Sequence, residues 1–295
     1  MLDVFMAIII AGLTSGALYA LATVGLSLLW GSMGMLNMAH ASMLAFGGYV
    51  AFTAVTTLGL PKPFGIVAAI LLGGVAGAVL YGLVVRNLLK TAGANFETNV
   101  LIATVGVGIA LENAILLTYG GQPLRQPVII EGSVAVGPAA VPFQNMLIVA
   151  VSITVMIITA LILARTRMGR AIRATAQHRE AAQLMGVPVN RVYLQVLVIA
   201  GMLAGVCGVL VSSITQLSPT LGADPMLKAF IMCVVAGLGN LPGAIAAAFG
   251  LAVVEAFVQY EAGARWGFPA LLAIVIVVLI WRPAGLFGRI QIRRM

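Results

Sequence analysis

Two polar side chains sit three residues apart in one of the most apolar parts of the chain. They are Asn37 and His40, within GSMGMLNMAHASMLAFGGY from Gly31 to Tyr49. On a helix that spacing puts both on one face. One imidazole and one amide are too few ligands for a metal site. The pair either satisfies backbone groups freed at a helix break or contributes to a pathway or gate, because intramembrane polar groups face a bundle interior or a wet cavity. Glu112 and Glu255 are the acids that lie well inside apolar segments. A carboxyl there must be paired, protonated or wetted. Two isolated acids do not make a proton relay, and a hydrogen bond between helices, or to nearby Asn113 or Gln259, is the plainer expectation. The sequence has no paired acids, no Ser/His/Asp set and no HExxH motif, and His40 and His178 lie in different surroundings. Intramembrane catalysis therefore has no support. A third cluster, Gly237 to Gly243, reads Gly-Leu-Gly-Asn-Leu-Pro-Gly. Three glycines and a proline in one short run cannot form uniform helix. Irregular backbone at membrane depth survives only where it is buried or lines a cavity. Gly237, Gly239, Asn240, Pro242 and Gly243 thus join Asn37, His40 and Glu112 as candidates for a translocation pathway or a helix break.

The elements that must position these residues follow from composition. The chain has 295 residues, 62% hydrophobic and 8% charged, with a mean hydropathy of +1.12. A soluble domain carries about 25% charged residues, so this surface is not built for water. Apolar runs fall near 5–30, 41–60, 64–86, 98–118, 144–164, 192–216, 225–238, 242–260 and 267–281. Most approach the roughly 20 residues that cross a hydrocarbon core. The expected class is all-α, a polytopic helical membrane protein with eight full spans plus one short or re-entrant piece at 225–238. The N-terminus has an acid and no base before its apolar run, unlike a signal peptide, so the first segment is expected to stay in the mature protein. Small-residue pairs at GxxxG spacing (Gly12/Gly16, Gly73/Gly77, Gly201/Gly205, Gly239/Gly243) predict close helix packing. Cys207 and Cys233 lie in apolar runs and read as core residues.

Net charge is +8. In a membrane protein that excess marks the cytoplasmic loops rather than nucleic-acid binding. Arg86 and Lys90 follow the third run; Arg165, Arg167, Arg170, Arg173, Arg179 and Arg191 lie between the fifth and sixth; Arg282, Arg289, Arg293 and Arg294 close the chain. Alternation puts these twelve of the sixteen Lys and Arg residues on one side if 225–238 crosses, giving an external N-terminus and a cytoplasmic C-terminus. The connection 119–143 alternates apolar and polar residues between Gly and Pro and predicts an extended external loop or hairpin. The cytoplasmic stretch 165–191 reads RTRMGRAIRATAQHREAAQLMGVPVNR. Its alanines predict a helix over 168–185. Gly186 is its C′ residue and Pro188 its stop. Met168, Ile172, Ala176, Leu184 and Met185 tend to one face of it. Such a helix either lies on anionic lipid or docks a cytoplasmic partner.

The segment EAAQLMG, Glu180 to Gly186, resembles the coupling loop of ABC-importer permeases. The wider block ATAQHREAAQLMGVPVNRVYLQVLVIAGMLAGVCGVL, roughly 174–210, resembles branched-chain amino acid permeases of the LivH family. Gly12 to Phe52 is similar to the opening of the same family through Asn37, Ala39, His40, Gly48 and Tyr49, with Ala41 where the family has glycine. Lys228 to Phe257 is similar to a later family block through Gly237, Gly239, Pro242 and Gly243. The resemblance implies one permease domain over 1–295, without cofactor or catalytic residues, in the bacterial inner (plasma) membrane. It implies ATP-driven alternating access for branched-chain or related hydrophobic amino acids and amides. The implied partners are a second permease subunit, homologous or identical, two cytoplasmic ABC ATPases and an extracytoplasmic solute-binding protein, besides membrane lipid. ATPase coupling would fall to Arg173, Glu180, Ala181, Ala182 and Gly186. No Walker motif is present, so ATP hydrolysis is expected on the partners. The residues alone leave another class open, an ion-coupled secondary transporter of small solutes, for which Glu112 and Glu255 are the acidic candidates.

Overall fold

A computed structural model describes residues 2–91, 95–127, 129–136 and 139–288. Arg289, Arg293 and Arg294 of the closing basic cluster lie outside the described residues. The chain is mostly helical, 80%. Each of the nine apolar runs becomes a helix. Helix α1 is Leu2–Met33, and its 32 residues reach about 48 Å at the usual rise. Helix α2, His40–Phe52, continues through a π turn, Thr53–Thr57. Helix α3, Lys62–Leu80, starts with Pro63 in its first turn, where the missing N–H costs nothing. It runs on through a π turn, Tyr81–Val85, into α4, Arg86–Thr91. Helices α5 (Phe96–Tyr119) and α6 (Phe143–Arg165) flank a two-stranded hairpin. In it β1, Ser133–Val136, pairs antiparallel with β2, Ala139–Pro142. The expected loop or hairpin at 119–143 is thus a hairpin.

The polar stretch holds α7 (Arg167–Gln177) and α8 (Arg179–Leu184). Then come α9 (Val189–Ser212), α10 (Ala223–Ala236), α11 (Leu241–Ala262) and α12 (Gly267–Trp281). Among the described residues, seven helices are long and apolar enough to cross a membrane. Helix α2, lowered in hydropathy by its polar and glycine residues, and the 14-residue α10 are not among them. The lead-in to α10 is bridged by Leu217 to Leu124 on the hairpin side. After α10 the chain reaches Gly239, which meets Gly31 near the end of α1. The short helix and its lead-in together therefore traverse the body.

The buried centre is α9, packed against α1, α2 and α3. Backbone contact there needs glycine. A methyl on Gly73 would collide with the Gly201 carbonyl, and one on Gly201 with the Gly73 carbonyl. Two of the small-residue pairs expected from sequence thus meet each other. The pair Gly12 and Gly16 instead lays α1 against Val253 and Phe249 of α11. Small residues bring helices into van der Waals range where lipid offers no competing hydrophobic gain. The outer helices α5, α6 and α12 carry exposed apolar faces, as lipid or a partner requires.

Candidate functional site

The stretch 165–191 is not the single helix expected over 168–185. It breaks at His178, whose extended backbone (φ −155°, ψ 104°) ends α7 and caps α8. The His178 Nδ1 accepts from the Ala181 N–H at 3.3 Å, and the result is an elbow. Thr166 caps α7 by accepting from the Gly169 N–H at 3.0 Å. The Arg173 guanidinium donates to the Leu163 carbonyl at the end of α6. The Arg179 guanidinium stacks 5.7 Å from both the Phe96 and Tyr193 rings, pinning the elbow to α5 and α9.

Helix α8 closes as expected at Gly186, with φ +83°. The Gly186 N–H donates to Gln183 O and the Val187 N–H to Ala182 O, both at 3.0 Å. This is the two-bond Schellman closure. Of the coupling candidates, Arg173, Glu180, Ala181 and Gly186 are exposed and Ala182 is buried. Leu184 and Met185 do not share the buried face of Ile172, because the break at His178 rotates them outward to 88% and 84% exposure. They form an apolar knob at the tip, flanked by arginines. Composition names such residues as core. Only the elbow exposes them.

The elbow overlooks a cavity of about 1020 Å³ between the ends of α1, α6, α10 and α12, lined in part by Ser27, Arg173, Gly239, Asn240, Pro242 and Phe287. The expected break at 237–243 forms its wall. Gly237 and Gly239 take φ +97° and +85°, which ends α10. Asn240 then caps α11 by accepting from the Gly243 N–H at 3.1 Å. Its amide donates to Phe287 O at 2.8 Å. The carbonyls freed at the end of α10 are taken by the returning chain: Leu286 N–H to Val235 O at 2.7 Å and Phe287 N–H to Ala236 O at 3.0 Å. Gly243 lies under the Phe287 ring. A second cavity of about 560 Å³ shares Gly31, Ala176 and Gly239 with the first and adds Glu97 and Arg179. The structure thus brings Arg173 of the elbow together with Gly239, Asn240 and Pro242 of the break.

Asn37 and His40 are elsewhere and do not share a helix face, since Asn37 precedes α2. The segment 34–39 is irregular. Gly34 has φ +66°, the Asn37 Oδ1 accepts from the Ala39 N–H at 3.1 Å, and the Met38 N–H donates to Thr104 Oγ1 at 3.1 Å. The chain bends before Ala41, which sits inside α2 with its carbonyl against Gly222. Both Asn37 and His40 are buried. The His40 ring lies against Gly25 of α1, next to the Ala22 backbone. Neither residue lines either cavity. Glu112 is half-buried on α5 and accepts from the Ser42 hydroxyl at 3.2 Å. Glu255 accepts from Gln259 at 3.0 Å, as expected for a local hydrogen bond. It also pairs at 2.9 Å with Lys228, a pairing that sequence reasoning missed. The spacing of Asp224 and Lys228, one helical turn apart, was the available signal.

Comparison with known proteins comes down on one family. Residues 8–280 match the family described as branched-chain amino acid transport system, permease component. The chain is 29% identical over 297 residues to the high-affinity branched-chain amino acid transport system permease protein BraD of Pseudomonas aeruginosa, covering 97% of each. It is 30% identical over 294 residues to the corresponding LivH protein of Salmonella typhimurium, covering 96% of each. A probable branched-chain amino acid transport permease protein LivH of Methanocaldococcus jannaschii is 25% identical over 92% of this chain and 89% of that one.

Proposed function

Because this chain belongs to the family of branched-chain amino acid transport permease components, we propose that it is the membrane-spanning subunit of an ATP-driven importer. It is a multi-pass membrane protein, assigned to the bacterial inner membrane. Its cargo is a branched-chain or related hydrophobic amino acid or amide. Two of these subunits, identical or homologous, enclose the pathway. Two cytoplasmic ABC ATPases drive them, and an extracytoplasmic binding protein delivers substrate. The nine apolar helices cross in alternation, with the N-terminus outside and the C-terminus in the cytoplasm. The α7–α8 elbow then lies in the cytoplasm, as its arginines favour.

The observation that carries this reading is the elbow itself. It projects Leu184 and Met185 beyond a closed Schellman turn, and its other face borders the cavity walled by the α10–α11 break. A rigid projection with an apolar tip suits insertion into a cleft of an ATPase. Closure of the ATPase pair on ATP would push on α7, and α7 would pass the movement to Gly239 and Asn240 across the cavity. The permease contributes no group to ATP hydrolysis. Its work is to hold two arrangements of the same helices, to which ATP and loaded binding protein bind with different affinity.

Co-purification of the untagged complex with mass measurement of its subunits, followed by reconstitution with the binding protein, tests this. The expected result is leucine, isoleucine or valine uptake that requires ATP inside the vesicle face carrying the ATPases. Uptake that persists without ATPases and follows a proton or sodium gradient would overturn it in favour of an ion-coupled transporter.

A further inference from the structure

The Lys228 ammonium is bound by three helices at once. It donates to the Tyr19 hydroxyl of α1 at 2.8 Å. It pairs with Glu255 Oε1 of α11 at 2.9 Å and with Asp224 Oδ2, one turn earlier on α10, at 3.0 Å. Tyr19 stands near the middle of the 32-residue α1, so the cluster lies deep in the helical body. Two carboxyl groups face one ammonium. Glu255 is 2% exposed, and its Oε2 has no hydrogen-bond partner among the described residues. With two acids to one base, the cluster carries an excess of one formal negative charge. Intramembrane ionisable groups are costly and mark substrate or ion pathways.

The second observation is where Asp224 leads. Its side chain is 65% exposed. Leu227, Phe230 and Val234 follow at helical spacing on the same side of α10, and Leu238 comes just after the break that ends it. Leu227 and Phe230 are exposed, and Val234 and Leu238 line the cavity of about 1020 Å³. An exposed carboxyl at the head of this stripe does not suit hydrocarbon, which favours water or a partner subunit over lipid at this face. A surface that opens on a carboxyl and continues apolar fits an amphiphile with an ammonium at one end and a branched hydrocarbon at the other.

We propose that the Asp224–Lys228–Glu255 cluster is the head-group subsite for the ammonium of the transported amino acid, and that the exposed face of α10 guides its side chain to the large cavity. The inference rests on the importer reading above. Glu255 anchors Lys228, while Asp224, the exposed member, receives the substrate ammonium.

The test uses the full complex with its binding protein in vesicles, with Leu227→Cys and Phe230→Cys made separately. Native Cys207 and Cys233 are buried and serve as the unreactive background. Each variant is treated with a cationic and an anionic membrane-impermeant methanethiosulfonate reagent. Both variants are expected to react. At L227C the cationic reagent should be faster by about threefold or more, as a negative site concentrates cations, and the preference should vanish when Asp224→Asn is added. Leucine-loaded binding protein with ATP should change the rates. Failure of both thiols to react in every state shows that the face meets lipid and overturns the proposal. Equal rates for the two reagents at L227C overturn the ammonium subsite. Absence of ATP-driven leucine uptake by the unmodified complex would strike the importer reading. Normal uptake with unreactive thiols strikes the subsite alone.

Discussion

Two of the breaks inside the apolar body, at 34–39 and at 237–240, are closed in opposite ways. The first carries the polar residues, Asn37 and His40, and both side chains are packed shut, while Gly34 borders the smaller cavity. Asn37 turns back on its own backbone, and His40 presses on Gly25. The second carries little polarity apart from Asn240, and it opens on the larger cavity beside the elbow. A polar residue in an apolar segment thus does not by itself locate a pathway. What matters is whether neighbouring helices close over it. At the first break α1, α5 and α9 crowd the segment. At the second, residues of α6, α7 and α12 line the cavity, and the returning chain 285–288 supplies the missing hydrogen bonds without filling the space.

The largest effect should come from whatever pushes on the open break. Gly186→Pro replaces a residue at φ +83° with one held near −65°, so the turn behind the Leu184–Met185 knob cannot form. Leucine uptake should fall to background while the subunit still folds and inserts. Full substrate-stimulated ATP hydrolysis by that variant would show that the tip does not couple. Glu180→Arg, on the same exposed tip, should uncouple in the same direction.

Next comes the break itself. Gly239→Ala puts a side chain on a left-handed backbone and against Gly31, costing about 1–2 kcal/mol from the conformation alone. A lowered thermal midpoint together with slower uptake is expected, and an unchanged midpoint would mean that the contact with α1 is dispensable. Asn240→Ala removes the α11 cap and the tie to Phe287. Loss of a cap costs about 1 kcal/mol, and the C-terminal segment should become easier to cleave with protease. Resistance equal to the parent would show that Leu286 and Phe287 hold the segment without Asn240.

The smallest effect is expected at the closed break. His40→Leu replaces a buried ring that faces Gly25 and the Ala22 backbone, at nearly conserved bulk. Uptake should stay within about twofold, in line with the small cost of apolar swaps of similar size. A collapse of uptake in a folded His40→Leu protein would reverse the comparison and make the first break the gate.

Much of this arrangement was legible beforehand. The nine apolar runs, the hairpin at 119–143, the stop at Gly186 and the break at 237–243 follow from local rules. Apolar length fixes a helix, and Gly or Pro ends it wherever the chain is packed. The elbow was missed because alanine-rich helix propensity runs through His178. There, an imidazole that accepts from the Ala181 N–H turns one helix into two. The exposure of Leu184 and Met185 depends on that turn, so no periodicity count could give it.

The sequence by itself determined a polytopic helical body, the polar projection and the places where helices must stop, because propensity, hydropathy and glycine act over a few neighbouring residues. Only the tertiary structure decided that Asn37 and His40 are buried while Asn240 lines a cavity, and that Lys228 stands between Asp224 and Glu255. Those outcomes depend on groups that lie up to 209 residues apart, as Lys228 and Tyr19 do. The packing of α1 on α10 and α11 decides whether such groups meet a partner, a cavity or nothing.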